Sequence, residues 1–230
     1  MKIGLLICDH AREEMNRSYG SYPEQFRLLL PDFQFVDYYV CDDFFPKSIS
    51  ECDGWIISGS RFSVYDDIGW IHTLKDFTQK IAQSDKPCIG VCFGHQMIGY
   101  ALGGQVKKSA NGWCVGSHSF EFIAHEPWMN SLIKHANLLM MCQDQVVTLP
   151  PHATQIASSP LCPNAIIRVG ANMLGIQGHP EFSADFERAL ILINAKHLKS
   201  GQAEQGIASL SQPIHNLEVA KMMSNFLNRG

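Results

Sequence analysis

The first hundred residues alternate short apolar runs with segments of helical spacing, and this alternation constrains the fold more than any other feature. Apolar runs predict strands at 3–8, 33–40, 55–58 and 88–91, and helical spacing predicts helices at 23–30, 70–82 and 95–102. Continuous apolar runs are typical of strands that are covered on both faces. Strands separated by helices favour a parallel sheet with right-handed crossovers. We therefore expect an α/β fold with a mostly parallel sheet flanked by helices.

The pattern changes after residue 104. Short strand-like pieces follow one another without helices of comparable length between them, at 115–123, 138–142, 165–169 and 173–177. Strands joined without long crossovers pair antiparallel, so we expect a small antiparallel extension of the same sheet. Residues 183–230 are mostly helical. Since no repeat, low-complexity stretch or linker interrupts the chain, we expect a single domain over residues 1–230.

Composition and charge argue against several classes of partner. The formal net charge is −4 and the basic residues are scattered, so we expect no nucleic-acid partner. The N-terminal apolar run ends at Asp9, too early for a signal peptide, and no later segment approaches a membrane span. The eight cysteines include no C-x-x-C pair. These features predict a reduced, cytoplasmic protein that does not insert into a membrane.

Positions 90–94 read G-V-C-F-G, directly after a predicted strand and directly before a predicted helix. This G-x-C-x-G pattern is the cysteine form of the nucleophile elbow, a sharp, strained turn where neighbouring side chains would collide with the adjacent strand and helix. The helix N-terminus favours a thiolate at Cys92, and the backbone N–H of Phe93 could hold an oxyanion. The alternative is a core cysteine buried at a tight turn.

A thiolate nucleophile needs a proton shuttle, and the best candidate lies in G-I-Q-G-H-P-E-F at 175–182. In an extended chain residues i and i+2 face the same way, so we expect His179 and Glu181 to project together. Pro180 biases the residue before it toward an extended backbone. The carboxylate would then orient the imidazole and stabilise its protonated form. The alternative is an exposed His-Pro-Glu turn.

The other histidines have no comparable support. His95 could line the pocket or serve the helix N-terminus, and His10 has no partner at ligand spacing. Zinc deaminases combine H-x-E with P-C-x-x-C. Here Cys88 and Cys92 have C-x-x-x-C spacing and precede His179, so spacing and order both differ from that pattern. We expect no metal and no cofactor.

The motif G-V-C-F-G-H-Q at 90–96, followed by G-H-P-E at 178–181, resembles the class I glutamine amidotransferases, whose Cys-His-Glu triad has this chain order. The resemblance covers most of the chain. It implies a flavodoxin-like sheet and a small-molecule substrate. The segment at 141–150 is also similar to the H-x-D-x-V … L-P segment of GMP-synthase-type glutaminase domains.

The resemblance implies roles for individual residues near these motifs. The implied catalytic residues are Cys92, His179 and Glu181. The implied oxyanion hole consists of two backbone N–H groups, those of Gly59 and Phe93. The implied substrate contacts come from Ser60, Gln96, Gln143 and Asp144.

Two departures from the family pattern bear on the substrate. Ser58 and Arg61 stand where a glycine and a proline are usual, and Gly178 stands where a bulky residue is usual. These features resemble the stand-alone branch that includes plant γ-glutamyl peptidases, which cut γ-glutamyl bonds. We expect Gly178 to leave room beside His179. Four polar residues of the loop at 59–67 either contact a leaving group or merely solvate the surface: Arg61, Tyr65, Asp66 and Asp67.

Three functions are compatible with these motifs. The first is an amidohydrolase that acts at the γ-carbonyl of glutamine or a γ-glutamyl compound through a γ-glutamyl thioester. The second is a glutaminase subunit that delivers ammonia to a separate synthetase. The third is a catalytically silent regulatory binding module, which the intact triad argues against. A cysteine α/β-hydrolase fits less well, because in that fold the acid precedes the histidine.

Overall fold

The computed structural model describes residues 1–129 and 134–229. Its strands are β1 (Lys2–Leu6), β2 (Gln34–Tyr38), β3 (Gly54–Ile57), β4 (Cys88–Val91), β5 (Gln105–Lys108), β6 (Cys114–Phe122), β7 (His135–Cys142), β8 (Asp144–Thr148), β9 (Ala153–Ser159), β10 (Cys162–Val169) and β11 (Met173–Ile176). Its α-helices are α1 (Glu13–Tyr19), α2 (Tyr22–Leu29), α3 (Gly69–Ala82), α4 (Phe93–Ala101), α5 (Ala184–Asn194), α6 (Gln202–Ser209) and α7 (Asn216–Leu227).

One nine-stranded sheet organises the molecule, in the order β2-β1-β3-β4-β11-β10-β9-β6-β7. The strands from β2 to β11 are parallel and follow the flavodoxin-like order, whereas β10, β9, β6 and β7 continue the sheet antiparallel. Strands β5 and β8 form a separate antiparallel pair. The expected α/β fold with an antiparallel extension is therefore confirmed. The sequence patterns missed β5, β8 and β9.

Helices cover both faces of the parallel strands. Along β3, Ile56 packs in one apolar layer while Trp55 and Ile57 pack in the other, as the period of two requires. One layer includes Phe26 of α2 and the apolar side of α7; the other includes the apolar sides of α3 and α4. Strand β4 is buried along its whole length. This burial explains why the strands read as continuous apolar runs in the sequence. None of the helices in the described ranges is long and apolar enough to cross a membrane.

The turn between β4 and α4 is strained, as the G-x-C-x-G pattern predicts. Cys92 has φ 52° and ψ −102°, a conformation that side-chain-bearing residues rarely adopt. A Cβ atom at position 90 would collide with the backbone of Gly94, and one at position 94 would collide with the carbonyl oxygen of Ile57. The turn is held by β11, because the N–H of Cys92 donates to the carbonyl of Ile176 at 2.8 Å. Both glycines are thus required by close backbone approach.

A buried carboxyl group joins α5 to the antiparallel part of the sheet. Glu187 is fully buried, and its Oε1 accepts a hydrogen bond from the N–H of Gly116 at 3.0 Å. Its Oε2 has no hydrogen-bond partner among the described residues. Burial raises the pKa of Glu187 to about 8, although the Gly116 bond opposes this shift. Glu187 is therefore protonated in the folded protein at neutral pH.

We predict that Glu187→Gln stabilises the protein at alkaline pH and has little effect in acid. The folded-state pKa lies above the unfolded one, so folding retains a proton that the unfolded chain releases, and stability falls as the pH rises from about 4.5 to about 8. Glutamine keeps the acceptor for Gly116 and cannot ionise. At about pH 8.5 we expect a gain of about 2–3 kcal/mol, or about 5–10 °C in Tm. Thermal unfolding of the native protein and of Glu187→Gln, each in acid and at alkaline pH, measures the difference in Tm. An equal change in Tm at both pH values would contradict the prediction.

We also predict that Gly94→Ala strongly destabilises the fold. The new methyl group would meet a backbone carbonyl that cannot move without shifting β3, and such overpacking costs about 1–3 kcal/mol or more. Gly69→Ala is the matched control, since a Cβ atom there has nothing within 4 Å and lies at the first residue of α3. The control should be neutral or slightly stabilising. Urea unfolding compares the two; equal stability would show that the elbow tolerates a side chain.

Candidate active site

The candidate site lies at the carboxyl edge of the parallel strands. The segments that follow β1, β3, β4 and β11 meet there and line a cavity of about 430 Å³. In open α/β sheets ligands bind outside the carboxyl ends of the strands, and this volume is within the usual range of small-molecule pockets. Cys92, His179 and Glu181 all line the cavity, although they come from segments far apart in the chain.

The side chains of His179 and Glu181, which the sequence predicts to project together, are hydrogen-bonded. Nδ1 of His179 lies 2.7 Å from Oε1 of Glu181, and the two side chains are only 5% and 1% exposed. The backbone is held in an extended form because the N–H of His179 donates to the carbonyl of Leu139 at 2.8 Å. The bond to Nδ1 leaves Nε2 as the ring nitrogen available for proton transfer. The exposed-turn alternative does not describe this buried pair.

Two neighbours lie close to the imidazole of His179. On one face it stacks on Phe182, with ring centroids 3.9 Å apart and an angle of 5° between the planes. Gly59 also lies close to the ring, because an added Cβ atom there would be 3.0 Å from Cε1 of His179 and 3.7 Å from Cβ of Cys92. Gly59 therefore touches both side chains. A larger residue at position 59 would displace the ring or the thiol.

The charge of this cluster is balanced within it. Burial alone would lower the pKa of His179, but the Glu181 carboxylate and the Cys92 sulfur outweigh burial and hold that pKa well above its usual value. The ring is therefore an imidazolium at neutral pH. The second oxygen of Glu181, Oε2, is buried without a partner among the described residues, so its negative charge depends on His179 for compensation. The arrangement can hold a thiolate–imidazolium pair backed by a carboxylate.

Two backbone N–H groups flank Cys92. Phe93 is the first residue of α4, so its N–H has no acceptor within the helix. Neither this N–H nor that of Gly59 has a hydrogen-bond partner among the described residues. Free N–H groups beside a nucleophile can accept a developing negative charge. The side chain of Phe93 is buried and packs near Trp70, so only its backbone is placed to contribute.

Hydrogen bonds connect the glycine loop after β3 to the segment after β1, and they involve the loop residues that depart from the family pattern. The hydroxyl of Ser58 accepts from the N–H of Cys8 at 2.9 Å and donates to the carbonyl of Gly59 at 3.1 Å. Ser60 donates to the carbonyl of Cys8 at 2.8 Å. Arg61 binds the Asp9 carboxylate through its backbone N–H and its guanidinium, at 2.9 Å and 2.8 Å. Hydrogen bonds thus anchor the loop that carries Gly59.

The other polar residues of this loop separate into two groups. Arg61 lines the cavity while it is bound to Asp9. Tyr65 donates to the Asp144 carboxylate at 3.1 Å. Asp66 accepts from a backbone N–H of its own loop, and the side chain of Asp67 is fully exposed and pairs with a surface histidine. For Asp66 and Asp67 the surface-loop interpretation holds.

The residues predicted to contact substrate lie around the same cavity, which is lined by Ser60, Gln96, Gln143 and Asp144. Nε2 of Gln96 donates to the backbone carbonyl of Asp144 at 2.7 Å and to Oε1 of Gln177 at 3.3 Å. The Asp144 carboxylate also accepts a hydrogen bond from Ser63 at 2.5 Å. The glutamine after the elbow therefore fixes the position of the β7–β8 connection.

Two sequence expectations near the motifs need correction. Gly178 leaves no room beside His179, because a Cβ atom there would lie 2.8 Å from Cβ of Leu138 and 3.2 Å from Phe120. These neighbours belong to β6 and β7, which the local sequence cannot place against the motif. His95 does not line the cavity; it is fully buried in α4, and burial lowers its pKa to about 4. It is a neutral core residue.

One cluster of metal-ligand type exists among the described residues, outside the cavity lining. The ligand atoms of His10, Cys41 and Asp42 lie within 4.8 Å of one another. His10 thus has partners that are more than thirty residues away, which sequence spacing could not reveal. However, its Nε2 is already paired with the Asp42 carboxylate at 2.9 Å, and both side chains are more than half exposed. This arrangement is explained as a surface ion pair.

Sequence reasoning missed the outer wall of the cavity. It is formed by residues of β5, the loop after it, α5 and the turn after α5: Lys108, Trp113, Leu190, Asn194 and His197. These residues belong to no motif and come together only through the sheet topology. No local sequence signal identifies them.

Comparisons with known proteins agree with this geometry. The family model described as "Glutamine amidotransferase class-I" matches residues 35–197. Gamma-glutamyl peptidase 4 of Arabidopsis thaliana is 31% identical over 98% of this chain and 94% of its own length. GMP synthase of Phocaeicola vulgatus is 29% identical over 60% of this chain, but the match covers only 26% of that enzyme.

Solved structures show the same fold at low identity. A glutamine amidotransferase from Thermotoga maritima has a TM-score of 0.75 at 16% identity, covering 100% of this chain and 97% of that chain. A glutamine amido transferase from Methylobacillus flagellatus has a TM-score of 0.74 at 21% identity, covering 99% and 93%. Fold, family model and full-length relatives agree. This chain belongs to the class I glutamine amidotransferases and is a hydrolase of that type.

Proposed function

We propose that this protein cleaves γ-glutamyl amides larger than glutamine, with Cys92 as nucleophile, and does so without a partner. The observation that carries the proposal is that the buried Cys92–His179–Glu181 cluster lines a cavity whose lining extends beyond it to residues of β5 and α5. Arabidopsis thaliana gamma-glutamyl peptidase 4 matches along nearly its whole length, which favours a stand-alone peptidase over a synthetase module.

The proposed reaction begins when the Cys92 thiolate attacks the γ-carbonyl carbon. The N–H groups of Gly59 and Phe93 stabilise the oxyanion of the tetrahedral intermediate. His179 gives its proton to the leaving amine as the C–N bond breaks, which leaves a γ-glutamyl thioester. Neutral His179 then takes a proton from water, whose oxygen attacks the thioester carbonyl, and the C–S bond breaks. This step releases glutamate, whose new carboxyl group loses its proton to solvent, and restores the Cys92 thiolate beside protonated His179. Glu181 keeps the imidazole ring of His179 oriented and stabilises its protonated form during both formation and hydrolysis of the thioester.

Substrate binding is proposed to involve the four polar residues at the cavity wall, Ser60, Gln96, Gln143 and Asp144. Because Gln96 and Ser60 are bonded to backbone carbonyls, we propose that they shape the wall, while Gln143 and Asp144 face the γ-glutamyl group. A synthetase partner, the cytoplasmic location and the single-domain organisation stay predictions from the sequence.

The proposal predicts higher kcat/KM for γ-glutamyl-alanine than for glutamine, with no requirement for another protein. Release of alanine from γ-glutamyl-alanine and of ammonia from glutamine by the purified protein gives kcat/KM for each substrate. Repeating both assays with cell extract shows whether another protein is required. Cys92→Ala is the blank, and it should lose turnover of both substrates. Activity confined to glutamine and switched on by extract would instead indicate an ammonia-donating subunit, and turnover of neither substrate would indicate a silent binding module.

We further predict that Glu181→Gln lowers kcat by about one to four powers of ten with little change in KM, because the neutral amide no longer stabilises the imidazolium. The matched control is Glu204→Gln, at an exposed position in the first turn of α6. Circular dichroism verifies that both variants fold. Wild-type turnover in Glu181→Gln would mean that the His179–Glu181 pair is only structural.

A further inference from the structure

The outer wall of the cavity contains a lysine without an acidic partner. Lys108 lies at the end of β5 and lines the cavity, and its ammonium group makes no hydrogen bond or ion pair with any described residue. Val106, two residues earlier on the same face of β5, is packed in the core, whereas Lys108 is exposed at the end of the strand, where it borders both the cavity and solvent. Lys107 points the other way and does not line the cavity.

The carboxylates that line the cavity are engaged elsewhere. Asp9 is bound by Arg61, and Glu181 is bound by His179. Asp144 is the partner of Lys108 in the β5–β8 register, but its carboxylate accepts hydrogen bonds from Ser63 and Tyr65. The positive charge of Lys108 is therefore available to a ligand.

A short series of contacts relates Lys108 to the nucleophile. Gln96 lies one helical turn after Cys92, and its N–H donates to the carbonyl of Cys92 at 3.0 Å. The side chain of Gln96 donates to the backbone of Asp144, which pairs directly with Lys108. Residues paired across antiparallel strands are about 5 Å apart at Cα. Lys108 is thus connected to the nucleophile through Gln96 and the β5–β8 pair, and it lines the same cavity as Cys92.

The wall that leads to Lys108 begins at His179. Phe182 stacks on His179 and contacts Phe186 of α5, and Leu190 and Asn194 follow at intervals of one turn along that helix. The loop after β5 is bonded to the first residue of α6, because the carbonyl of Trp113 accepts a hydrogen bond from the side chain of Gln202. The proposed leaving amine takes its proton from His179, so it departs along this wall.

We propose that Lys108 binds a carboxylate on the leaving group, so that the preferred substrates are γ-glutamyl amino acids or peptides with a free carboxyl terminus. This inference rests on the proposed function and defines its substrate class. Trp113 also lines the cavity and would provide an aromatic surface for the side chain of the leaving amino acid. Glutamine, whose leaving group is ammonia, makes no use of either residue.

Hydrolysis of γ-glutamyl-alanine and of its uncharged analogue γ-glutamyl-alaninamide tests the proposal. The native protein should prefer the acid by about three- to tenfold in kcat/KM, the range of a partly solvated ion pair. Lys108→Met should abolish that preference through KM, and leave kcat and glutamine hydrolysis unchanged. Lys108→Arg should retain part of it, and Lys107→Met should behave as the native protein.

Binding of the same two compounds to Cys92→Ala, with and without Lys108→Met, separates this proposal from the catalytic one. Calorimetry should show tighter binding of the acid only when Lys108 is present. If no γ-glutamyl compound is hydrolysed but this discrimination persists, the proposed function fails and the carboxylate site stands. The role of Lys108 would be overturned if Cys92→Ala bound acid and amide equally, or bound neither. It would also be overturned if Lys108→Met lowered kcat/KM equally for the acid, the amide and glutamine.

Discussion

The close approach of the β4–α4 turn to β3 is the constraint on which the candidate site depends. Backbone strain of the kind seen at Cys92 costs about 1–3 kcal/mol and persists only where the surroundings over-determine it. Here the surroundings are a fully buried strand, a hydrogen bond from Cys92 to β11, and two glycines without which the backbones would collide. This packing determines where the Cys92 thiol lies, how much of it is exposed, and why it is placed at the N-terminus of α4.

Charge burial is the second organising element. His179 and Glu181 are buried as an ion pair, which is stable only because each compensates the other and because the Cys92 sulfur lies nearby. Glu187, a few residues further along, is buried without a cation and is neutral instead. The buried carboxyl group without a paired cation is therefore neutral, whereas Glu181 is buried together with the imidazole of His179.

The sequence predicted those parts of the molecule whose determinants are local. The parallel strands appear as apolar runs, the elbow has its glycines within two residues of Cys92, and the His179–Glu181 pair follows from the period of an extended chain. Strand β5 is short and mostly exposed, so it had no apolar signature. The misjudged space at Gly178 and the overlooked Lys108 depend on strands that are distant in sequence. The space and the contacts at such positions depend on tertiary neighbours and not on the structural propensities of the local sequence.

The bonds of Ser58, Ser60 and Arg61 to the segment after β1 have a consequence for the rigidity of the site. A glycine loop without such bonds has a backbone that can adopt other conformations. Here any rearrangement must break a buried serine bridge and a carboxylate–guanidinium pair together, so the wall beside Cys92 behaves as part of the scaffold. The backbone N–H of Gly59, which this wall carries, therefore keeps its position through contacts made within the chain itself.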